Sequence, residues 1–485
     1  MNLVTSLIAI LKPSDLNLIR RIYAVKEQEQ ERNMRLKLLD LLIERPNITE
    51  EKAAFELYNT LKPSKAFYQL KKRLRDDIGH FLIMQDKEKL YSSAIGRAKF
   101  DCRRKLMIGE LFINRGAYTE AKKILSKALR IAQDYELFGE LVMICDVLRT
   151  SIGPKEGLKA YEKYSQLISE NLLHQEKSFK AKELYYKMTL PSQFKFNSNV
   201  DFVTYGANIL AEFDLYENAG RYYQYLHYLT SIFYYFKIKN YKNCLAKLQK
   251  FEELIANHSM LHTTTNLAWC MNIYADVYLN LNNNEEAEIY AQQACQRIRK
   301  NLTNRIWALE KLFLASFRQQ KYKEAVKVVE EAMDNQIMQD NKLIKARWDF
   351  YQAIMAFSQK KWGEARDKLN LTQKLAGSDS SGWQIGYKLL EIMLAIEERE
   401  YYMLAYLLDN LKLLLHRQKS TNVNVDRAKR ILKILKTYQS QKFDYKKTLQ
   451  KVKLDLNLLE KGEDTYYWNP LGYEIIRFDE WFLKV

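Results

Sequence analysis

The chain has few of the residues that interrupt helices, with 15 glycines and 6 prolines among 485 residues. This scarcity predicts long helices joined by short connections, because proline breaks a helix interior and glycine destabilises one. Uncharged apolar runs of the roughly 18 residues needed to span a bilayer are also lacking, so no membrane span is predicted. The five cysteines lie far apart, which argues against a disulfide framework or a zinc site. We therefore expect a cytoplasmic protein with reduced, buried thiols.

Sequence signatures of catalysis and cofactor binding are missing as well. The chain has no glycine-rich phosphate loop, no G-x-G-x-x-G turn and no H-E-x-x-H pair. No serine or cysteine stands in a recognisable nucleophile motif. We therefore predict that the protein is not an enzyme and that it has no catalytic residues, no cofactor and no metal site.

Net charge and apolar content narrow the classes of protein to which the chain can belong. Lysine and arginine number 77 against 59 acidic residues, which gives a net charge of +18. An excess of this size favours either an acidic partner, whether nucleic acid or protein, or simple solubility. Because 47% of the residues are hydrophobic and 13% are aromatic, the composition is that of a packed protein and not of a disordered one.

One short phrase recurs in the second half of the chain. It consists of an aromatic or polar residue, two further residues, and then a small residue near the start of a helix. The small residues are Ala287, Ala325, Ala365 and Ala405, so that successive copies are 38, 40 and 40 residues apart. A steady period of about 40 residues is typical of stacked helical repeats.

The clearest unit places Gly109 and Phe112 on one helix and Tyr118, Ala121 and Leu125 at the start of the next. This spacing resembles the tetratricopeptide repeat, and similar offsets recur over roughly residues 100–415. The resemblance implies an all-α fold, a right-handed α-solenoid of antiparallel helix pairs, whose concave face binds a peptide or helix of a partner protein.

Two features depart from the pattern of that family. Its usual period is about 34 residues, and the period here is longer. Lys412 also stands where the last copy should end on a small residue. HEAT-like repeats have a period close to the one found here, so they stay an alternative repeat class.

The repeat pattern predicts three domains, an N-terminal helical domain over 1–95, the repeats over 96–415, and a basic and aromatic region over 416–485. Helices are predicted over 31–44, 49–59 and 64–84. The third carries Lys71, Lys72, Arg73 and Arg75 opposite its apolar stripe. This arrangement fits a helix-turn-helix that contacts DNA, and it equally fits a capping bundle with a solvated basic face.

Two further helices are predicted over residues 421–460, and they carry the densest basic cluster of the chain. Candidate contacts to an acidic partner or to nucleic acid are Arg427, Lys429, Arg430, Lys433, Lys446 and Lys447. Such a cluster can bind phosphates or an acidic protein. The competing interpretation is the lysine-rich outer face of a capping helix pair.

The last predicted feature is an aromatic tail over residues 466–482. Its large side chains include Trp468, Tyr473, Phe478 and Trp481, which would be costly to leave in water. The tail either closes the last groove of the solenoid or docks onto a partner or a second copy of the chain.

These features favour a non-enzymatic scaffold or adaptor that binds a peptide or helix of a protein partner. The alternative is a transcriptional regulator that combines an N-terminal helix-turn-helix with a repeat domain as the sensor. The sequence leaves self-association open.

Overall fold

The computed structural model describes residues 2–9, 11, 13–24, 30–84, 91, 93–190, 199–215, 220–298, 302–372, 382–417 and 425–484. Every regular element in these ranges is a helix, and no strand occurs in them. The chain forms two compact units, Met1–Gln175 and Glu176–Val485. This division differs from the domain boundaries predicted near 95 and 415, which stay predictions.

Across the described ranges, no helix combines the length and the hydropathy that crossing a bilayer requires. The five cysteines are all buried free thiols, as the sequence predicts.

Unit 1 begins with helices that share one apolar core. They are α1 (Asn2–Ala9), α2 (Pro13–Ala24), α3 (Gln30–Glu44), α4 (Glu50–Tyr58) and α5 (Lys65–Met84). The last three match the predicted helices to within one residue at each end. Phe67, Leu74 and Ile78 are completely buried on α5, so its apolar stripe faces the core as expected.

The clearest predicted repeat unit lies in the second part of unit 1. This part comprises α6 (Ala94–Asn114), α7 (Tyr118–Asp134), α8 (Phe138–Val147), a π-helical turn (Leu148–Ile152), α9 (Gly153–Glu156) and the start of α10 (Leu158–Thr189). A Cβ atom on Gly109 would lie 2.6 Å from Cδ2 of Leu125. Glycine is therefore required at this position for α6 and α7 to approach each other so closely.

Unit 2 continues with α11 (Asn199–Asp214) and a series of helix pairs. The pairs are α12 (Arg221–Lys237) with α13 (Tyr241–Asn257), α14 (Thr264–Asn280) with α15 (Asn284–Arg297), α16 (Leu302–Arg318) with α17 (Tyr322–Met333), α19 (Lys342–Ser358) with α20 (Trp362–Leu371), α21 (Trp383–Glu397) with α22 (Tyr401–Arg417), and α23 (Asp426–Ser440) with α24 (Tyr445–Lys461). The short helices α18 (Ile337–Asp340) and α25 (Phe478–Phe482) and a 3₁₀ turn (Asp464–Tyr466) complete the described elements. Each of the pairs from α14 to α24 packs against the next, so unit 2 is an all-α solenoid.

Most pairs reverse the chain in a three-residue turn whose middle residue has a positive φ. In unit 2 these residues are Lys239, Asn282, Gln320, Lys360 and Arg399, with φ between 58° and 60°. The third turn residue then donates its N–H to a carbonyl five residues back, as from Lys321 to Ser316 (3.0 Å). This bond satisfies a carbonyl at the helix end. These five turns of unit 2 are therefore made without glycine, in keeping with the low glycine content of the chain.

The recurring small residues lie in the first turn of the second helix of their pairs. Ala287, Ala325 and Ala365 each occupy the fourth position of their helix and are completely buried. Interiors are packed so densely that a larger side chain here would push the two helices apart. The chain reverses directly before Tyr322 and Trp362, the aromatic residues that open the second and third copies of the phrase.

The prediction for the fourth copy of the phrase is wrong by one residue. Helix α22 begins at Tyr401, so its fourth residue is Leu404, which is buried, whereas Ala405 is exposed. The same shift places Leu411 in the core and Lys412 on the surface. The error arises because the sequence offers two adjacent tyrosines as the start of the phrase. The lysine is therefore not a departure from the repeat.

Candidate partner-binding site

The residues that close unit 2 come from the end of the chain. Residues 465–484, here called the C-terminal segment, lie along α14, α16, α19 and α21, which are called the groove helices. Three hydrogen bonds fix the segment, from Tyr467 Oη to Asn280 Oδ1 (3.1 Å), from Arg318 Nη2 to the carbonyl oxygen of Pro470, and from Trp481 Nε1 to Glu397 Oε1 (2.8 Å). The groove-helix residue in each bond is the last of its helix. The segment therefore crosses the C-terminal ends of these helices.

Residues 474–482 of the C-terminal segment are mostly buried and are here called the anchor. Ile475, Phe478 and Phe482 belong to the core. Phe482 packs edge-on against Tyr438 of α23, with ring centroids 5.9 Å apart. Trp481 approaches Phe357 of α19 at 6.5 Å. The anchor thus joins two helix pairs that are not adjacent in sequence.

A buried arginine holds the charged residues of the anchor. Arg427 of α23 donates to Glu474 (2.7 and 2.9 Å) and to Asp479 (2.6 Å). It also donates to the carbonyl oxygens of Leu459 (2.7 Å) and Tyr466 (3.0 Å). Burial lowers the pKa of Arg427, but the two carboxylates outweigh it, so that the pKa is raised overall. All five donors of the guanidinium are therefore satisfied inside the protein.

Residues 467–471, near the start of the C-terminal segment, are here called the tongue. It has neither helix nor strand, and most of it is only half-buried. The Trp468 ring lies between two guanidinium groups, with Cζ of Arg318 and of Arg477 at 4.9 and 5.2 Å from its centroid. Lys239 Nζ lies 3.4 Å from the centroid of the Tyr467 ring. Of these cations only Arg318 belongs to a groove helix, and its cation–π contact attaches the tongue to α16. Lys239 lies in the turn between α12 and α13, and Arg477 belongs to the anchor.

Between tongue and anchor, the segment touches the backbone of α21. A Cβ atom at Gly386 would lie 2.5 Å from the carbonyl oxygen of Tyr473. We expect Gly386→Ala to lower the free energy of unfolding of unit 2 by about 1–3 kcal/mol, because the backbone of the segment must move away. Urea unfolding followed by tryptophan fluorescence measures this loss, since all seven tryptophans lie in unit 2.

Gly363→Ala is the matched control for this prediction. Gly363 also lies in a helix of unit 2, but nothing lies within 4 Å of the added Cβ. That variant should be neutral or gain up to about 1 kcal/mol. A stabilised Gly386→Ala variant would show that the segment does not rest on α21.

Beside the tongue, the groove helices line a cavity of about 610 Å³ that is open to solvent. Its walls come mainly from α14 and α16, with Arg347 from α19 and Leu471 from the tongue. This volume lies within the roughly 300–1,000 Å³ that is usual for ligand pockets. The cavity therefore has the size of a binding site and shares a wall with the C-terminal segment.

The charged groups at the base of the cavity are paired. Lys311 Nζ lies 3.4 Å from Asp276 Oδ1. Burial nevertheless raises the pKa of Asp276 to about 6. Glu310 accepts from Arg347 (3.2 Å) and from Tyr351 Oη (2.5 Å). The carboxylates of the cavity thus serve to hold the groove helices together.

The remaining lining residues offer aromatic and amide contacts. Trp307 is 52% exposed although it lines the cavity, and Trp269 lies on the facing helix. Asn272 Oδ1 is buried and accepts no hydrogen bond from the described part of the chain. A buried acceptor of this kind is satisfied when a donor enters the site.

The predicted basic cluster is divided between core and surface. The structure corrects the prediction for Arg427, which is buried in the anchor network and is not available to a partner. Arg430 and Lys433 pair with Asp455 at 2.6 and 3.0 Å.

All four lysines of the cluster are exposed, including Lys433 beside Asp455. Lys429 and Lys447 pair with Asp426 and Asp444, at 2.7 and 3.1 Å, and Lys446 is exposed beside them. Their role as contacts to a partner stays a prediction.

The basic face of α5 is partly engaged within unit 1. Lys71 Nζ lies 2.5 Å from Glu50 of α4, and Arg75 lies 2.9 Å from Asp76. Lys72 and Arg73 are exposed. The arrangement does not bring the four basic residues together as one free surface, and their contact with nucleic acid stays a prediction.

The residues predicted as a docking tail are packed against their own chain. Phe478 and Trp481 are buried in the anchor, and Trp468 and Tyr473 are half-buried on the groove helices. Burial raises the pKa of Tyr473. These contacts favour the capping interpretation, because Phe478 and Trp481 are covered by their own chain, and docking onto a partner stays a prediction.

The cavity residues were missed because they come from separate helices. One signal was present in the sequence of α16, where Ile306, Leu309 and Phe313 form the buried stripe. Trp307 lies off this stripe, and a large aromatic residue in such a position is a candidate contact. The sequence gives no comparable signal for Trp269.

The fold and the cavity define a helical repeat protein with a groove along the first helices of its pairs. No protein-family model and no curated protein matches the chain. Among solved structures, the chain is similar to the apo form of RapI, with 11% identity and a TM-score of 0.45 over 74% of this chain and 86% of that one. A similarity at this level does not define a family.

Proposed function

We propose that this protein is a non-enzymatic scaffold or adaptor that holds an extended segment of a protein partner in the cavity between α14 and α16. The observation that carries the proposal is the open cavity of about 610 Å³ on the groove helices, directly beside the tongue. The repeat class, tetratricopeptide-like or HEAT-like, is part of the proposal and not a premise of it.

The C-terminal segment supports binding of an extended chain. Its tongue lies on the groove helices without forming helix or strand, and Arg318 donates to one of its backbone carbonyls. The same helices line the cavity, where Asn272 Oδ1 has no donor among the described residues. A peptide N–H is the most common group that could satisfy this acceptor.

The aromatic residues of the cavity support a protein partner. Tryptophan is enriched among the residues that dominate the energy of protein interfaces. Trp307 exposes half of its surface in the cavity, so a partner could bury it on binding. An apolar side chain of the partner would fit between Trp307 and Trp269.

The state of the carboxylates supports a role without catalysis. Asp276 and Glu310 are engaged by Lys311, Arg347 and Tyr351. These bonds link neighbouring groove helices and give both carboxylates a structural role.

Selection of short random peptides against the immobilised full chain tests the proposal. We expect the selected peptides to bind about 30-fold more weakly to Trp307→Ala, because an interface tryptophan contributes roughly 2 kcal/mol or more. Isothermal titration calorimetry with the synthetic peptides measures the change.

Tyr402→Ala is the control, because Tyr402 is 80% exposed on α22 and does not line the cavity. It should bind the same peptides with unchanged affinity. The proposal fails if no peptide is enriched, or if Trp307→Ala binds as tightly as the natural chain.

The alternative of a DNA-linked regulator is not favoured. Lys71 is paired with Glu50, and Arg427, the first of the second basic cluster, is buried in the anchor. Neither observation favours a surface shaped for phosphates.

A further inference from the structure

The tongue covers a buried cation that has no acidic partner among the described residues. Arg318 makes one hydrogen bond, to the carbonyl oxygen of Pro470, and stacks on Trp468. Its Nε and Nη1 atoms are buried and have no acceptor in the part of the chain that the structure describes. Burial lowers the pKa of Arg318 to about 10. A buried guanidinium that is satisfied by a single neutral carbonyl is an unfavourable arrangement.

Arg318 continues the line of cavity residues along α16. Trp307, Lys311 and Leu314 line the cavity, and Arg318 follows Leu314 by four residues on the same face of the helix. Leu471, next to the carbonyl that Arg318 holds, forms part of the cavity wall. A chain lying in the cavity would therefore reach Arg318 once the tongue moved aside.

The tongue could move aside at the loss of one hydrogen bond to the anchor, from Trp468 Nε1 to the carbonyl oxygen of Glu474 (2.8 Å), and of the contact between Trp468 and Arg477. Its contacts with α14 and α16 are one hydrogen bond each, from Tyr467 to Asn280 and from Arg318 to Pro470, together with stacking on side chains. The anchor is held separately by Arg427, Glu474 and Asp479 and by buried aromatic rings. The weaker part of the C-terminal segment is thus the part next to the cavity.

We propose that the tongue is an internal occupant that an acidic partner segment displaces, and that a carboxylate of this segment pairs with Arg318. This inference rests on the proposed function and names the chemistry of its partner. The planar guanidinium fits a carboxylate through two parallel N–H bonds, which a single peptide carbonyl cannot provide. The partner segment then carries an aspartate or glutamate next to the apolar residue that enters the cavity.

The test uses the random peptides selected on the natural full chain. We expect aspartate or glutamate at one fixed position of the selected peptides. Changing that residue to asparagine or glutamine should weaken binding tenfold or more, because a charge-assisted bond is lost. Arg318→Met should weaken binding of the acidic peptide to a similar extent and should not add to the peptide change.

A second variant separates displacement of the tongue from simple pairing. Tyr467→Phe removes the bond to Asn280 while Asn280 Oδ1 keeps its bond from Tyr241. If the tongue competes with the peptide, this variant should bind up to about fivefold more tightly. Its effect is thus opposite in sign to that of Arg318→Met.

Three outcomes would overturn this inference while leaving the proposed function intact. They are peptides that depend on Trp307 but carry no acidic residue, an Arg318→Met variant with unchanged affinity, and a Tyr467→Phe variant that binds no more tightly. Thermal unfolding of both variants verifies that they are folded. Loss of all peptide binding to the natural chain would instead mean that the proposed function itself is wrong.

Discussion

Replacing Arg427 with methionine is expected to lower the free energy of unfolding of unit 2 by about 3–5 kcal/mol. The guanidinium is buried between Glu474 and Asp479, which are themselves buried. The variant leaves Glu474 inside the protein without a counter-charge and leaves Asp479 with Arg477 alone (2.6 Å), whereas methionine fills a similar volume. Since a folded protein is stable by only about 5–15 kcal/mol, this loss is a large share of the total. Urea unfolding followed by tryptophan fluorescence measures it.

Lys429→Met is the matched control for Arg427→Met. Lys429 is on the same helix, exposed, and paired with Asp426 in solvent. Its replacement should change stability by no more than about 0.5 kcal/mol. Combining Arg427→Met with Glu474→Gln and Asp479→Asn should recover part of the loss, because no buried carboxylate then lacks its partner. Equal unfolding midpoints for the two methionine variants would refute the role assigned to Arg427.

The helix pairs were predictable because their pattern is local. The period near 40 residues and the buried alanines at 287, 325 and 365 reflect packing within a pair, whose helices are joined by three residues. The φ of the turns was not predictable in this way. The residues in the left-handed conformation, such as Lys360 and Arg399, are not those that usually adopt it. Packing of the flanking helices imposes the turn.

Which residues of the basic cluster are buried and which are exposed was not predictable from their spacing. Arg427 and Lys429 lie two residues apart on one helix, yet one is buried and the other exposed. The difference comes from Glu474 and Asp479, which lie 47 and 52 residues further along the chain. A local pattern shows the charge of a residue but does not show which distant residue will meet it.

The cavity depends even more on distant parts of the chain. Its walls combine Trp269, Trp307, Arg347 and Leu471 from four separate segments. The aromatic tail was predicted as either a cap or a docking element. Its position in the structure depends on contacts with the ends of distant groove helices, such as Asn280 and Glu397. The sequence therefore predicts that grooves exist between the helices, and the tertiary structure decides which of them is filled.

Replacing Trp481 with alanine is expected to lower the free energy of unfolding of unit 2 by about 3–5 kcal/mol. Trp481 is 7% exposed, and its ring packs on Phe478 (5.6 Å) and Phe482 (6.2 Å). The substitution leaves a cavity in the anchor and removes the donor to Glu397, which lies 2.8 Å away. Urea unfolding measures the loss, and limited proteolysis should cleave the variant within residues 465–484 first.

Two further variants divide this effect into packing and hydrogen bonding. Trp481→Phe keeps an aromatic ring but loses the N–H, so most of the stability should remain and about 1 kcal/mol should be lost with the bond. Tyr402→Ala removes an exposed aromatic residue and should change stability by no more than about 0.5 kcal/mol. If the tail served only to dock onto a partner, Trp481→Ala would change stability as little as Tyr402→Ala does. Unchanged stability of Trp481→Ala would therefore favour the docking interpretation over the buried anchor.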